Sequence, residues 1–129
     1  DHSLRQMTTV LVVEDDPTLR RVIEMVLEAR GYEVAQARHG AAALERMAVS
    51  IPDVVIADLK MPVMGGRDLV ERMRLDPQLH DVPVVLLTGN LEAAHSVPGS
   101  DAILVKPFDP QVLASTIERL TEKDPSLRV

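Results

Sequence analysis

The stretch Val10–Arg21, VLVVEDDPTLRR, runs four apolar residues straight into three consecutive carboxylates, Glu14, Asp15 and Asp16. An unbroken apolar run of this length reads as a strand covered on both faces, the kind found in parallel sheets. Asp16 followed by Pro17 then supplies an N-cap and a proline at the first helical position. Leu19, Val22, Ile23, Val26 and Leu27 recur at helical spacing. Pro17–Arg30 is therefore predicted as an amphipathic helix with those five residues inward, stopped by Gly31.

The same alternation continues along the chain. Glu33–Ala37, Val54–Ala57, Val82–Leu87 and Ala102–Val105 read as further strands, and Ala41–Ala48, Arg67–Leu75 and Pro110–Glu122 as further helices, the last with Val112, Leu113, Thr116, Ile117 and Leu120 inward. Alternating strands and helices predict an α/β domain with a doubly wound parallel sheet. The link between the fourth and fifth strands is short. Only Gly89 to Asp101 is available, with Pro98 and Gly99 near its end, so a fourth helix has room for Leu91–Val97 at most. A stub or a mobile loop is expected there, since a parallel crossover needs about a dozen residues.

Composition bounds the function. The chain has 129 residues, 46% of them hydrophobic and 26% charged, as expected of one globular domain. No apolar run approaches the ~18 residues of a spanning helix, and no secretory pattern opens the sequence, so a cytoplasmic location away from the membrane is expected. There is no cysteine, hence neither disulfide nor thiolate chemistry. A formal charge of −6 argues against direct nucleic-acid binding. Residues 1–8 read as a linker or remnant, and 123–129 as a C-terminal tail. Met25, Met47 and Met73 are expected to fill the core, and the four histidines, which lack ligand spacing, to lie on the surface.

In doubly wound sheets the functional loops leave the C-terminal strand ends. Glu14 and Asp15 follow the first strand, Asp58 the third, Thr88 the fourth and Lys106 the fifth. Each alone has an ordinary explanation: a solvated helix start, a turn residue, a structural hydroxyl, a surface cation. Brought to one edge, they hold three carboxylates against one ammonium, and a divalent cation would relieve the excess. Oxygen donors without Cys or a nearby His suit Mg²⁺ and disfavour Zn²⁺. Asp16 is explained by its cap alone.

Four motifs, VVEDD (12–16), ADLKMPVMGG (57–66), LLTG (86–89) and VKPF (105–108), occur in this order on successive strand ends. By them the chain resembles the receiver domain of two-component response regulators, of the chemotaxis-regulator kind, over residues 9–122. The resemblance implies a flavodoxin-like five-stranded sheet in the order 2-1-3-4-5. It implies that Asp58 accepts a phosphoryl group from a histidine kinase or histidine phosphotransfer protein. Asp15, Asp58 and the backbone carbonyl of Lys60 would hold Mg²⁺, with Mn²⁺ as the alternative, and Glu14 would act through water. Lys106, before a cis Pro107, would pair with the phosphoryl oxygens, and Thr88 would donate to them. No outside substrate would be turned over.

The output would go to an effector protein or a linked output domain, and a fragment of a hybrid histidine kinase is one reading of the chain. Gly65 and Gly66 are expected to supply positive φ beside Asp58. Ile103 stands where relatives often carry an aromatic switch residue, and Gly89 where alanine is commoner. Two other readings stand beside the first. One is a pseudo-receiver that binds partners without phosphate. The other is an Asp-nucleophile phosphatase, which Lys60 in place of a second Asp disfavours.

Overall fold

The computed structural model describes residues 7–122. Strands β1 (Thr9–Val13), β2 (Glu33–Ala37), β3 (Val54–Asp58), β4 (Val84–Thr88) and β5 (Ala102–Val105) form one parallel sheet in the order β2-β1-β3-β4-β5. Helices α1 (Pro17–Ala29), α2 (Gly40–Val49), α3 (Gly66–Leu75), α4 (Leu91–His95) and α5 (Pro110–Thr121) follow them in turn. The α/β class and strand order are those expected. The readings of 1–6 and 123–129 fall outside the described residues, whereas Thr8 already lends its carbonyl to the Glu33 amide at 2.9 Å.

Alternation along the strands divides the core. Val10, Val12, Val54, Ile56, Val85 and Leu87 pack against Ile23 and Leu27 of α1 and Leu113, Ala114 and Ile117 of α5. Their neighbours Leu11, Val13, Val55, Ala57, Val84 and Leu86 pack on the other face with α2, α3 and α4. A central strand covered on both sides has no polar position to spare, which is why β1, β3 and β4 read as continuous apolar runs. Two acidic residues satisfy amides at strand starts. Asp53 Oδ2 accepts from Thr9 N at 2.7 Å, and Asp101 Oδ2 from Val84 N at 2.8 Å.

Several expectations are corrected. The fourth strand begins at Val84 instead of Val82: the Asp76 carbonyl folds the chain back by accepting from the Leu79 and His80 amides, and Pro83 has no N–H to offer the ladder. Val22 and Val112 sit at the margins of their helical stripes, 43% and 48% exposed, because the sheet covers only the middle of each stripe. Met25 lies opposite the stripe of α1 and is 57% exposed, so only Met47 and Met73 of the three fill core. His39 is half-buried, and its Nδ1 accepts from Ala42 N to cap α2.

The glycine pair beside Asp58 serves close approach. Gly65 has φ −85°, and a Cβ there would lie 2.7 Å from the Leu59 carbonyl oxygen; one at Gly66 would lie 2.8 Å from that of Asp58. The left-handed position in this loop is Val63, at φ +66°.

Helix α4 is the stub of the two alternatives. Ala94 within it and Val97 just past its end are buried. Two arginines of α3 tie it down. Arg67 donates to the Ser96 carbonyl at 2.9 Å, and Arg74 reaches the carbonyls of Gly99, His80 and Val82 and the carboxylate of Asp101 at 2.7–3.1 Å.

Candidate functional site

The carboxylates gather where β1 and β3 end side by side. β1 pairs with β3 in parallel, Val13 opposite Ala57, so Glu14, the residue after β1, comes beside Asp58, the last residue of β3. One carboxylate oxygen each from Glu14, Asp15 and Asp58 lie within 4.8 Å of one another. Glu14 is 1% exposed and Asp58 7%, whereas Asp15 faces solvent.

Lys106 enters from β5. Its amide donates to the Thr88 carbonyl at 2.7 Å, which fixes the strand end, and the Lys106–Pro107 bond is cis. Its Nζ donates to Asp58 Oδ2 at 2.7 Å and to Glu14 Oε1 at 3.3 Å. Burial pulls the Lys106 ammonium down, but its hydrogen bond and charge contact with Asp58, joined by Glu14, outweigh this and hold it above its ordinary value. Burial drives Glu14 the other way for an acid, up to about 7, helped by the negative charge of Asp58 and opposed by the Asp16 amide and by Lys106. The site is thus an acidic pocket with one neutralising cation and an incompletely compensated charge.

Thr88 is buried at the end of β4. Its hydroxyl donates to the Asn90 carbonyl at 3.0 Å and accepts the Asn90 amide at 2.9 Å, a local turn. Asn90 in turn caps α4 through Ala93 N. The Lys60 amide approaches Asp58 Oδ1 at 3.4 Å. Asp58, Lys60, Thr88, Gly89, Asn90 and Lys106 line an open cleft of about 380 Å³. All six residues singled out from the sequence therefore border one acidic edge. Asp16 is the cap it was expected to be, accepting from Thr18 N and Leu19 N.

Sequence reading missed one residue. Arg20 of α1 donates from NH1 to the Glu14 carbonyl at 2.7 Å and from Nε to Gln36 Oε1 on β2 at 2.9 Å. Its only sequence signal is a cation one turn into a helix that succeeds an acidic strand end.

The oxygen-only donor set suits a hard divalent cation. Residues 10–118 match the family model of the response regulator receiver domain. The chain is 39% identical over 115 residues to chemotaxis protein CheY1 of Helicobacter pylori, covering 84% of this chain and 93% of that protein. Other curated relatives, DNA-binding regulators among them, are longer, and the chain spans about half of each (50% and 53% for two of them).

Among solved structures, a putative response regulator from Chloroflexus aurantiacus superposes with a TM-score of 0.87 at 33% identity, covering 92% of this chain and 100% of that one. The receiver domain of sensor histidine kinase PA1611 from Pseudomonas aeruginosa, with a magnesium ion coordinated in its active-site cleft, superposes with a TM-score of 0.84 at 28% identity, covering 90% of this chain and 98% of that one. On this fold, this pocket and these matches, the chain belongs to the response regulator receiver domains of two-component signal transduction.

Proposed function

We propose that the chain is a phospho-accepting switch, with Asp58 as the acceptor. The observation that carries this reading is the 2.7 Å contact between Lys106 Nζ and Asp58 Oδ2 at the floor of an open cleft. One Asp58 carboxylate oxygen attacks the phosphorus of a phosphohistidine on a histidine kinase or phosphotransfer protein; the P–N bond breaks and the imidazole leaves with its electron pair. An ionised carboxylate needs no base to become a nucleophile. Lys106 holds the Asp58 carboxylate in place, and its ammonium then pairs with a phosphoryl oxygen. Thr88 exchanges its bond to the Asn90 carbonyl for one to the phosphoryl group.

Mg²⁺, held by Asp15, Asp58, the Lys60 carbonyl and, through water, Glu14, would supply charge neutralisation for the incoming phosphoryl oxygens. An acyl phosphate of about −1.5 to −2 charge gives Thr88 and Lys106 cause to move, which biases two conformations already in equilibrium. The signal would pass to an effector protein or a linked output domain. The net charge of −6 favours a protein partner over nucleic acid for this chain itself.

Intact mass after incubation with acetyl phosphate tests the proposal. One phosphoryl group gained with Mg²⁺, none without it, and none in Asp58→Asn is the expected result. A folded wild-type chain that gains nothing would overturn it in favour of a receiver that works without phosphate.

A further inference from the structure

Three groups brace the turn Glu14-Asp15-Asp16, and two of them are its own. Glu14 Oε2 accepts the Asp16 amide at 3.0 Å, and Asp16 caps α1. The third is Arg20, whose half-buried guanidinium spans from the Glu14 carbonyl at 2.7 Å to Gln36 Oε1 at 2.9 Å. Glu14 N donates to the Ala37 carbonyl at 3.0 Å as the last rung between β1 and β2. Beyond that rung the Glu14 carbonyl has no strand partner among the described residues, and Arg20 replaces one. One donor of the planar guanidinium holds the Glu14 carbonyl and the other is anchored on Gln36 of β2, so the peptide that carries the Asp15 amide is tied to the sheet through a rigid fork.

We infer that Arg20 is a positioning residue for the divalent-cation site: through the Glu14 carbonyl it sets the direction in which the Glu14 and Asp15 side chains leave the backbone. The inference rests on the magnesium reading above and adds to it a residue that touches no ligand. Outer residues that orient ligating groups are commonly worth about 10- to 100-fold in metal affinity.

Arg21 provides the control. It carries the same charge at the next position, but its side chain is 72% exposed and its contact is Glu24, at 3.5 Å. Removing a positive charge beside an acidic pocket would by electrostatics alone favour cation binding, whereas loss of positioning weakens it and falls on Arg20 alone.

The test is a Mg²⁺ titration of the full chain, monitored by amide NMR, on wild type, Arg20→Ala, Arg20→Lys and Arg21→Ala. The Glu14 carbonyl ¹³C shift is recorded without metal. Expected are an affinity loss of about tenfold or more in Arg20→Ala with a moved Glu14 carbonyl resonance, a partial loss in Arg20→Lys, and no more than about twofold change in Arg21→Ala. Arg20→Ala binding as wild type, or Arg21→Ala losing as much, would overturn the inference and leave the magnesium reading intact. Wild type that takes no Mg²⁺ would overturn both. Should Arg20→Ala not fold, Arg20→Lys decides: a loss of about threefold or more supports positioning, and wild-type affinity refutes it.

Discussion

Glu14 is where local chemistry and stability meet most sharply. It is buried beside Asp58, and burial holds its carboxyl near 7 instead of 4.5. Between those values the folded chain keeps a proton that the unfolded chain has released. The contribution is therefore fully present below pH 4.5 and is lost as pH rises through about 7. Glu14→Gln removes that loss, while Lys106 keeps its 2.7 Å partner Asp58. The metal-free variant is expected to be more stable than wild type at pH 8, by on the order of 1–3 kcal/mol, with the difference shrinking toward pH 5. Urea unfolding at the two pH values measures it; an equal difference at both would mean that titration of Glu14 is not its source. The same deprotonation is needed for metal binding, so Mg²⁺ affinity should rise from pH 6 to pH 8.

At the scale of elements, α4 depends on its neighbour more than on itself. Five residues make little more than one turn, too short to be stable alone. Asn90 caps it, and α3 anchors the Ser96–Asp101 segment through Arg67 and Arg74. Arg74 is the stronger tie, because its loss strips several carbonyls and the Asp101 carboxylate of a charged donor at once. Arg74→Ala is expected to cost about 2–3 kcal/mol, and Arg67→Ala, at an exposed site, about 0.5–1 kcal/mol, both measured by urea unfolding. Native-state hydrogen exchange should then show the amides of Ala94 to Val97 exchanging faster in Arg74→Ala; unchanged exchange there would place the arginine's effect elsewhere.

For the whole molecule, the acidic edge is a place where like charges cost stability. Three carboxylates within 4.8 Å repel one another, and one lysine does not cancel them. A cation bound only by the folded chain returns part of that stability by mass action, about 1.4 kcal/mol at a concentration tenfold above Kd. Mg²⁺ is accordingly expected to raise Tm, chelation to reverse the rise, and Asp15→Asn to abolish it while leaving the metal-free chain folded. A Tm indifferent to Mg²⁺ in wild type would contradict the cation site.

Much of this architecture is local enough to be read from residue order. Val10–Val13 is apolar throughout because β1 is covered on both faces, and Asp16-Pro17 and Gly31 bracket α1 by capping chemistry that acts within a few residues. The strand ends that carry Glu14, Asp58, Thr88 and Lys106 result from the same alternation. Margins were not legible: Val22, Met25 and Val112 are apolar yet exposed, because how far the sheet reaches around a helix depends on packing and not on period. The glycines at 65 and 66 announced a special backbone, but only the fold shows that they admit the Leu59 and Asp58 carbonyls.

Sequence by itself determined the sheet, its alternation and which charged residues leave its C-terminal edge, since periodicity and caps are properties of neighbours. Tertiary structure alone decided that Arg20 grips the Glu14 carbonyl and that Arg74 gathers the segments before β4 and before β5. Those contacts join residues whose partners are backbone atoms, and a backbone carbonyl leaves no mark in the order of side chains.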